Sequence, residues 1–246
     1  MEFTTTASLV LAAVAAGVVN ALAGGGTLLT FPALLAVMPA PLANGTSSVA
    51  LMPGSFASIF GYRQELRGVR GWAAVLALPS IAGGTLGVEL VIRSPDAFTR
   101  LVPWLILTAT LLFIAQPFVA RLARGPHAAW PRWLVVVVQF VIAIYGGYFG
   151  AGMGIVMLAV YSFMGMPNIH AMNAVKTVQA ALINVVAAVG FTRVGLVDWQ
   201  TGAVMAGAAI AGGYYGAHYG RRLSPALVRG IVIGIGLTLS ARYFLR

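Results

Sequence analysis

The chain has no cysteine and very little charge. With no cysteine among its 246 residues, it can form neither a disulfide framework nor a thiolate metal site, and cysteine usage says nothing about its compartment. Charged residues make up 8% of the chain, against about 25% in an ordinary soluble domain. Hydrophobic residues make up 60%, and a soluble protein this apolar could not cover its surface. Alternating polarity, the mark of a membrane β-barrel, is missing. The apolar stretches, such as 135–144 and 203–210, are apolar all round, so the spanning elements are expected to be helices.

What charge there is has one sign. Lysine and arginine number 15 and acidic residues five, for a net charge of +10. Nucleic acid is not the partner this implies. Every basic residue but Lys176 is an arginine at a segment end or in a short loop, where the positive-inside bias puts them. The N-terminal stretch MEFTTTASLVLAAVAAG has no basic leader region and reads as a first membrane helix rather than a cleaved signal peptide.

Hydropathy with loop punctuation predicts about eight principal segments: 8–37, 44–62, 72–92, 101–119, 133–163, 173–191, 199–219 and 225–244. Trp72, Trp104, Trp133 and Trp199 lie near predicted ends, as in an aromatic belt. The first and fifth segments are too long: 30 residues of helix reach about 45 Å. Each has glycines near its middle, Gly24–Gly26 in the first and Gly146–Gly154 in the fifth. Glycine disfavours helix and permits positive φ, so each segment is expected to be two shorter helices joined by a break.

The breaks match. At an offset of 128 to 130 residues, Gly26 meets Gly154, Pro39 meets Pro167, Asn44 meets Asn173, Gly61 meets Gly190, Gly83 meets Gly212 and Ser94 meets Ser224. This order predicts a duplication: a first membrane repeat over 1–120, a basic linker 121–132 and a second repeat over 133–246. Four plain crossings per half would make the repeats parallel. Re-entrant hairpins at the breaks would make them inverted. Arginine placement does not choose between these.

Duplicated helices broken at corresponding glycines mark the binding site of a transporter. A helix that starts inside the membrane presents free N–H groups and a positive dipole end, together an anion site. Gly83, Gly87, Gly212 and Gly216 read instead as close helix packing. After each break comes a polar helix start, Asn44-Gly45-Thr46-Ser47-Ser48 and Asn173-Ala174-Val175-Lys176-Thr177. Asn44 and Asn173 could be ordinary N-caps. Lys176 is the only lysine, one turn into an apolar helix. It could snorkel to the interface; the favoured reading is that it offsets the charge of a bound anion. Asn173, Lys176, Thr177 and Ala180 fall near one helix face. Glu89 and Arg93, four residues apart, read as a structural pair. Gln139 and Asn184 are suited to hydrogen bonds between helices. Metal-ligand spacing, phosphate-loop motifs and nucleophile–base pairs are all missing.

The stretches AGVVNALAGGGTLLTFPALL at 16–35, ANGTSSVA at 43–50 and GGYFGAGMGIVMLAVYSFMGMPNIHAMNAVKTVQAALIN at 146–184 resemble the TauE/SafE-type sulfite exporters, the TSUP family of membrane permeases. The resemblance covers nearly the whole chain, including the two-repeat plan. It implies movement of sulfite, thiosulfate, organosulfonates or related small carboxylates. The breaks have diverged, AGGG against GAGMG, so the substrate can differ from sulfite.

The expectation is an all-α polytopic transmembrane bundle acting as a secondary transporter, an exporter of a small anion. It is expected to lie in a bacterial inner membrane, without a cofactor. The substrate-binding residues expected are Gly24, Gly25, Gly26, Asn44, Ser47, Ser48, Gly152, Gly154, Asn173, Lys176 and Thr177. Backbone N–H groups of Gly25, Gly26, Gly152 and Gly154 would hold the anion. The partners are the small anion and the lipid bilayer, not nucleic acid; a homo-oligomer and proton or ion coupling stay open. A passive anion channel would share the site. A membrane-embedded enzyme or assembly factor would need a catalytic cluster at membrane depth, and none is present in the sequence.

Overall fold

The computed structural model describes residues 3–22, 25–122, 129–166, 168–219 and 225–244. Among them are ten α-helices and no strand: α1 Phe3–Leu22, α2 Thr27–Leu35, α3 Ala40–Gly61, α4 Arg63–Arg93, α5 Pro95–Leu122, α6 Arg132–Tyr148, α7 Met153–Tyr161, α8 Ile169–Arg193, α9 Trp199–Tyr219 and α10 Pro225–Phe244. The protein is an all-α polytopic bundle. Within it, 63–93, 95–119 and 169–193 are each long and apolar enough to cross a bilayer, and several shorter apolar helices accompany them. The outer surface is apolar. Leu78, Phe118 and Trp133 stay 74%, 70% and 66% exposed, which suits contact with lipid and not with water.

Both overlong segments break where the glycines predict. α1 stops at Leu22 and α2 starts at Thr27; α6 stops at Tyr148 and α7 starts at Met153. Gly25, Gly150 and Gly152 have φ of 101°, 77° and 78°, a left-handed region that a side chain would strain. At both breaks the chain reverses. In the second, the Tyr161 hydroxyl donates to Gln139 Oε1 at 2.9 Å. Further down, the Trp130 N–H donates to the Phe163 carbonyl at 2.8 Å and the two rings stack 4.6 Å apart. Residues 22 and 33 positions apart meet, so α7 runs back along α6. In the first, a Cβ on Gly26 would lie 2.6 Å from the Ala16 carbonyl oxygen, whereas ten residues of straight helix would separate them by about 15 Å. Each break is therefore the tip of a hairpin.

Several helices begin earlier than hydropathy predicts. α3 starts at Ala40, with Pro41 in its first turn, a position proline favours. α8 starts at Ile169, capped by Asn168, whose Oδ1 accepts from Ala171 N at 2.9 Å. Asn44 and Asn173 are thus not N-caps but sit one turn inside. α4 starts at Arg63 and kinks at Val69; α5 starts at Pro95.

α1 packs along α9 and α4 along α6, while α3 and α8 cross at the centre. Glycine makes the first two approaches close. A Cβ on Gly83 or Gly87 would strike the carbonyl of Phe140 or Ile144 on α6, and one on Gly212 that of Val14 on α1. These are backbone atoms with nowhere to go. Other polar side chains bridge helices. Gln139 Nε2 donates to Ser80 Oγ at 2.8 Å, and Asn184 Nδ2 to Ser55 Oγ at 2.8 Å. Glu89 and Arg93 form the expected exposed pair at 2.6 Å.

Gly212→Leu is expected to lower the melting temperature of the purified protein sharply, by the upper end of the ~1–3 kcal/mol that overpacking costs. Gly207→Leu, on the same helix where a Cβ meets nothing within 4 Å, should melt like the wild type; equal behaviour would mean that the α1–α9 contact does not need glycine.

Candidate functional site

The two hairpin tips face each other. A Cβ on Gly25 would lie 3.7 Å from the Gly152 amide nitrogen. Around the tips is a cavity of about 190 Å³, large enough for a small molecule and its water. α3 contributes Ser48, Leu51, Gly54, Ser55 and Ser58, a stripe at helical spacing, and Tyr62 follows at its end. α8 contributes Asn173, Lys176, Thr177, Ala180 and Asn184. The tips contribute Asn20, Gly25, Thr27, Phe149, Gly150, Gly152 and Gly154. Asn173, Lys176, Thr177 and Ala180 share one face, as their spacing predicts.

Lys176 supplies the charge. It is the only Asp, Glu, Lys, Arg or His in the lining among the described residues. Its stem lies against the second tip, where a Cβ on Gly154 would stand 3.4 Å from Lys176 Cδ. Its ammonium has no ion-pair or hydrogen-bond partner among the described residues. The second tip also offers donors. The N–H groups of Gly152 and Gly154, both in the lining, make no hydrogen bond to any described residue, and they stand at the positive end of α7. An ammonium and free amides converging on one cavity form an environment for an anion.

The first tip differs. Its Gly25 and Gly26 N–H groups donate to Asn20 Oδ1 at 2.9 and 2.7 Å. The expected role for these two amides, holding the anion, is thus filled by a side chain of the protein. Seven expected residues line the cavity: Gly25, Ser48, Gly152, Gly154, Asn173, Lys176 and Thr177. Gly24 lies outside the described residues. Gly26, Asn44 and Ser47 do not line it. Gly26 packs on Ala16. Ser47 Oγ is 2.6 Å from Thr30 Oγ1, and Asn44 Nδ2 donates to the Tyr148 carbonyl at 3.0 Å; both side chains are buried. Sequence reasoning missed Asn20, Thr27, Ser55, Ser58 and Tyr62. The spacing of Ser48, Ser55 and Ser58 along one face of α3 was the signal for three residues of the wall.

Such a cavity in a helical membrane bundle suits a transport protein. The chain matches the family described as Sulfite exporter TauE/SafE over residues 9–243. It is 30% identical over 233 residues to a "Probable membrane transporter protein" of Haemophilus influenzae, covering 92% of this chain and 89% of that one. It is 26% identical to "Probable membrane transporter protein ORF9" of a Sinorhizobium species, covering 98% and 93%, and 28% identical to "Probable membrane transporter protein YfcA" of Escherichia coli, covering 95% and 87%. No solved structure matches. The chain belongs to the sulfite exporter TauE/SafE family. It is a multi-pass integral membrane protein of inner-membrane type, a secondary transporter of a small anion and not an enzyme.

Gly152→Ala should impair transport more than Gly207→Ala at matched expression. A left-handed residue with a Cβ costs about 1–2 kcal/mol, and here that Cβ also meets Leu112 at 3.2 Å. Transport rates in vesicles check this, and wild-type rates from Gly152→Ala would mean the tip does not need its observed shape.

Proposed function

We propose that the transported anion, a sulfur oxyanion such as sulfite or thiosulfate, a sulfonate or a related small carboxylate, binds between the hairpin tips beside Lys176. The observation that carries this reading is the unpaired Lys176 ammonium next to the free amides of the second tip. Ser48, Asn173 and Thr177 complete the polar wall. Their side chains already donate to backbone carbonyls one turn back, so the two hydroxyls can still accept from water while Asn173 keeps one amide hydrogen to donate to the ligand.

The bundle reads as two inverted repeats, 1–120 and 133–246, on either side of the linker 121–132. A hairpin followed by three crossings gives each half an odd count, and the contacts α1–α9 and α6–α4 are then images of each other. Arg132 stands 5.5 Å from the Trp72 ring, so the starts of α4 and α6 share a side. That side carries Arg63, Arg67, Arg70, Arg121 and Arg132, against Arg93, Arg100, Arg193 and Arg242 at the other ends of the described helices. The positive-inside bias makes it cytoplasmic.

The symmetry is broken in one respect that bears on transport. At an offset of 129, Ser48 pairs with Thr177, Leu51 with Ala180 and Ser55 with Asn184, and both members line the cavity. Off the axis only one member does. Asn173, Lys176, Ser58 and Tyr62 line it, while their counterparts Asn44, Ser47, Ala187 and Phe191 are 2%, 1%, 3% and 0% exposed. Asn44 Oδ1 is moreover buried without a partner among the described residues. The cavity is thus open toward the cytoplasmic half and closed toward the other, as in a carrier caught on one side of its cycle and unlike an open channel. An exporter loads from this side.

Lys176→Met keeps the stem and removes the charge. At an effective dielectric of about 20, unit charges some 4 Å apart attract by roughly 4 kcal/mol before desolvation, and a third of that is about tenfold in affinity. The expected result is at least a tenfold loss of anion transport at normal membrane insertion, with Arg193→Met near wild type. Wild-type transport by Lys176→Met would overturn the site.

The cysteine-free sequence allows a test of sidedness. Ser58→Cys should react with a membrane-impermeant maleimide from the cytoplasmic face, while Ala187→Cys should react only from the opposite face and during turnover. If both react from the same face, the inverted-repeat reading is wrong.

A further inference from the structure

The two tips are equivalent by position but not by chemistry. At each, a nine-residue helix starts, α2 and α7. The α7 start keeps its amides free beside Lys176. At the α2 start, Asn20 Oδ1 sits 2.9 and 2.7 Å from the Gly25 and Gly26 nitrogens, where an anion's oxygen would otherwise sit, and only the Thr27 N–H is left without a partner among the described residues. Asn20 belongs to the last turn of α1 and also lines the cavity. Its counterpart at an offset of 129 is Phe149, a hydrocarbon ring that can cap nothing. The duplicated plan offers two anion half-sites, and the chain fills one of them itself with a neutral amide oxygen.

We propose that Asn20 is a specificity-determining residue: by occupying the first half-site it restricts the cavity to one singly charged oxyanion head, and so selects bisulfite, sulfonates and carboxylates over dianions such as sulfate and thiosulfate. This rests on the anion site proposed above and narrows its substrate class. The charge count gives the reason. What remains for the ligand is one ammonium, one open helix start and, at the other, Thr27 alone. A dianion brings a second negative charge, and two of the donors that would have met it, the Gly25 and Gly26 amides, are already bonded to Asn20. Choice of an amide matters as well. Aspartate would cap the same two N–H groups at least as well, since carboxylates are favoured at helix starts. It would also set a fixed negative charge in the cavity wall, against the substrate.

That difference separates a specificity role from a structural cap. The measurement is binding to the purified protein, read as thermal stabilisation titrated with methanesulfonate and acetate as monoanions and with sulfate and thiosulfate as dianions. Wild type should bind the monoanions at least tenfold more tightly than the dianions. Asn20→Asp should keep the melting temperature of the unliganded protein yet lose at least tenfold in monoanion affinity. Asn20→Ala should shift the dianion-to-monoanion affinity ratio at least tenfold toward dianions; if it fails to reach the membrane, Asn20→Ser, too short to span to both nitrogens, is read for the same shift. Wild-type monoanion binding by Asn20→Asp, or dianion binding by the wild-type protein as tight as monoanion binding, overturns the proposal. Where Lys176→Met still loses binding, the anion site stands and Asn20 is only a cap. Where Lys176→Met binds every anion like the wild type, both readings fall.

Discussion

A bilayer's hydrocarbon offers no hydrogen-bond partner, so every backbone amide freed inside it must be met by the protein, by trapped water or by a ligand. Two interruptions in this chain create such amides, at 25–26 and at 149–152, before the second helix of each hairpin. The rest of the arrangement follows from them. Each tip has to be walled off from lipid, and the crossing pair α3 and α8, with α5 packed behind, does so. The helices that carry these walls approach through glycine, because a side chain at Gly87, Gly147 or Gly212 would strike a neighbouring backbone carbonyl. Close packing at the periphery and open donors at the centre are two uses of the same residue.

What the sequence made legible is what depends on local chemistry and length. Segments too long to be one span, with glycines at mid-run, pointed to both breaks, and a lone lysine at Asn173 spacing pointed to the wall of the cavity. Asn20 escaped because its role exists only once the chain has reversed: it caps amides five and six residues ahead, a distance a helix would not bring together. The amide just before the glycine run was a usable hint. Asn44 and Asn173 looked like caps because hydropathy starts their helices at the polar residues. The real starts lie about a turn earlier, and Pro41 marks one of them.

Ser47 and Asn44 carry a different lesson. They are the counterparts of Lys176 and Asn173, and although the charge of Lys176 sets it apart from Ser47, nothing in the residues alone separates Asn44 from Asn173. Which of two equivalent sets faces the cavity is a property of conformation. Burial of Ser47 against Thr30 and of Asn44 against Tyr148 is therefore no evidence against their part in transport. On the carrier reading it is the other half of the cycle.

The same asymmetry bears on how occupancy could control that cycle. Lys176 has no counter-charge among the described residues, and its counterpart Ser47 is neutral. While the cavity is open, water can solvate the ammonium. Closing the empty cavity would strip that water from an unpaired cation, among the most costly groups to bury in a membrane. With an anion beside Lys176 the pair is near neutral, and closure loses much of that penalty. An empty carrier would then cross slowly and a loaded one fast, by differential stabilisation of the closed state rather than by any push from the ligand. A single fixed charge also keeps the anion releasable, since a second lysine in place of Ser47 would hold it from both repeats at once. Binding strong enough to capture and weak enough to release is a general demand on membrane passage. One lysine, one open helix start and one helix start closed by Asn20 meet it with the chemistry of a single repeat.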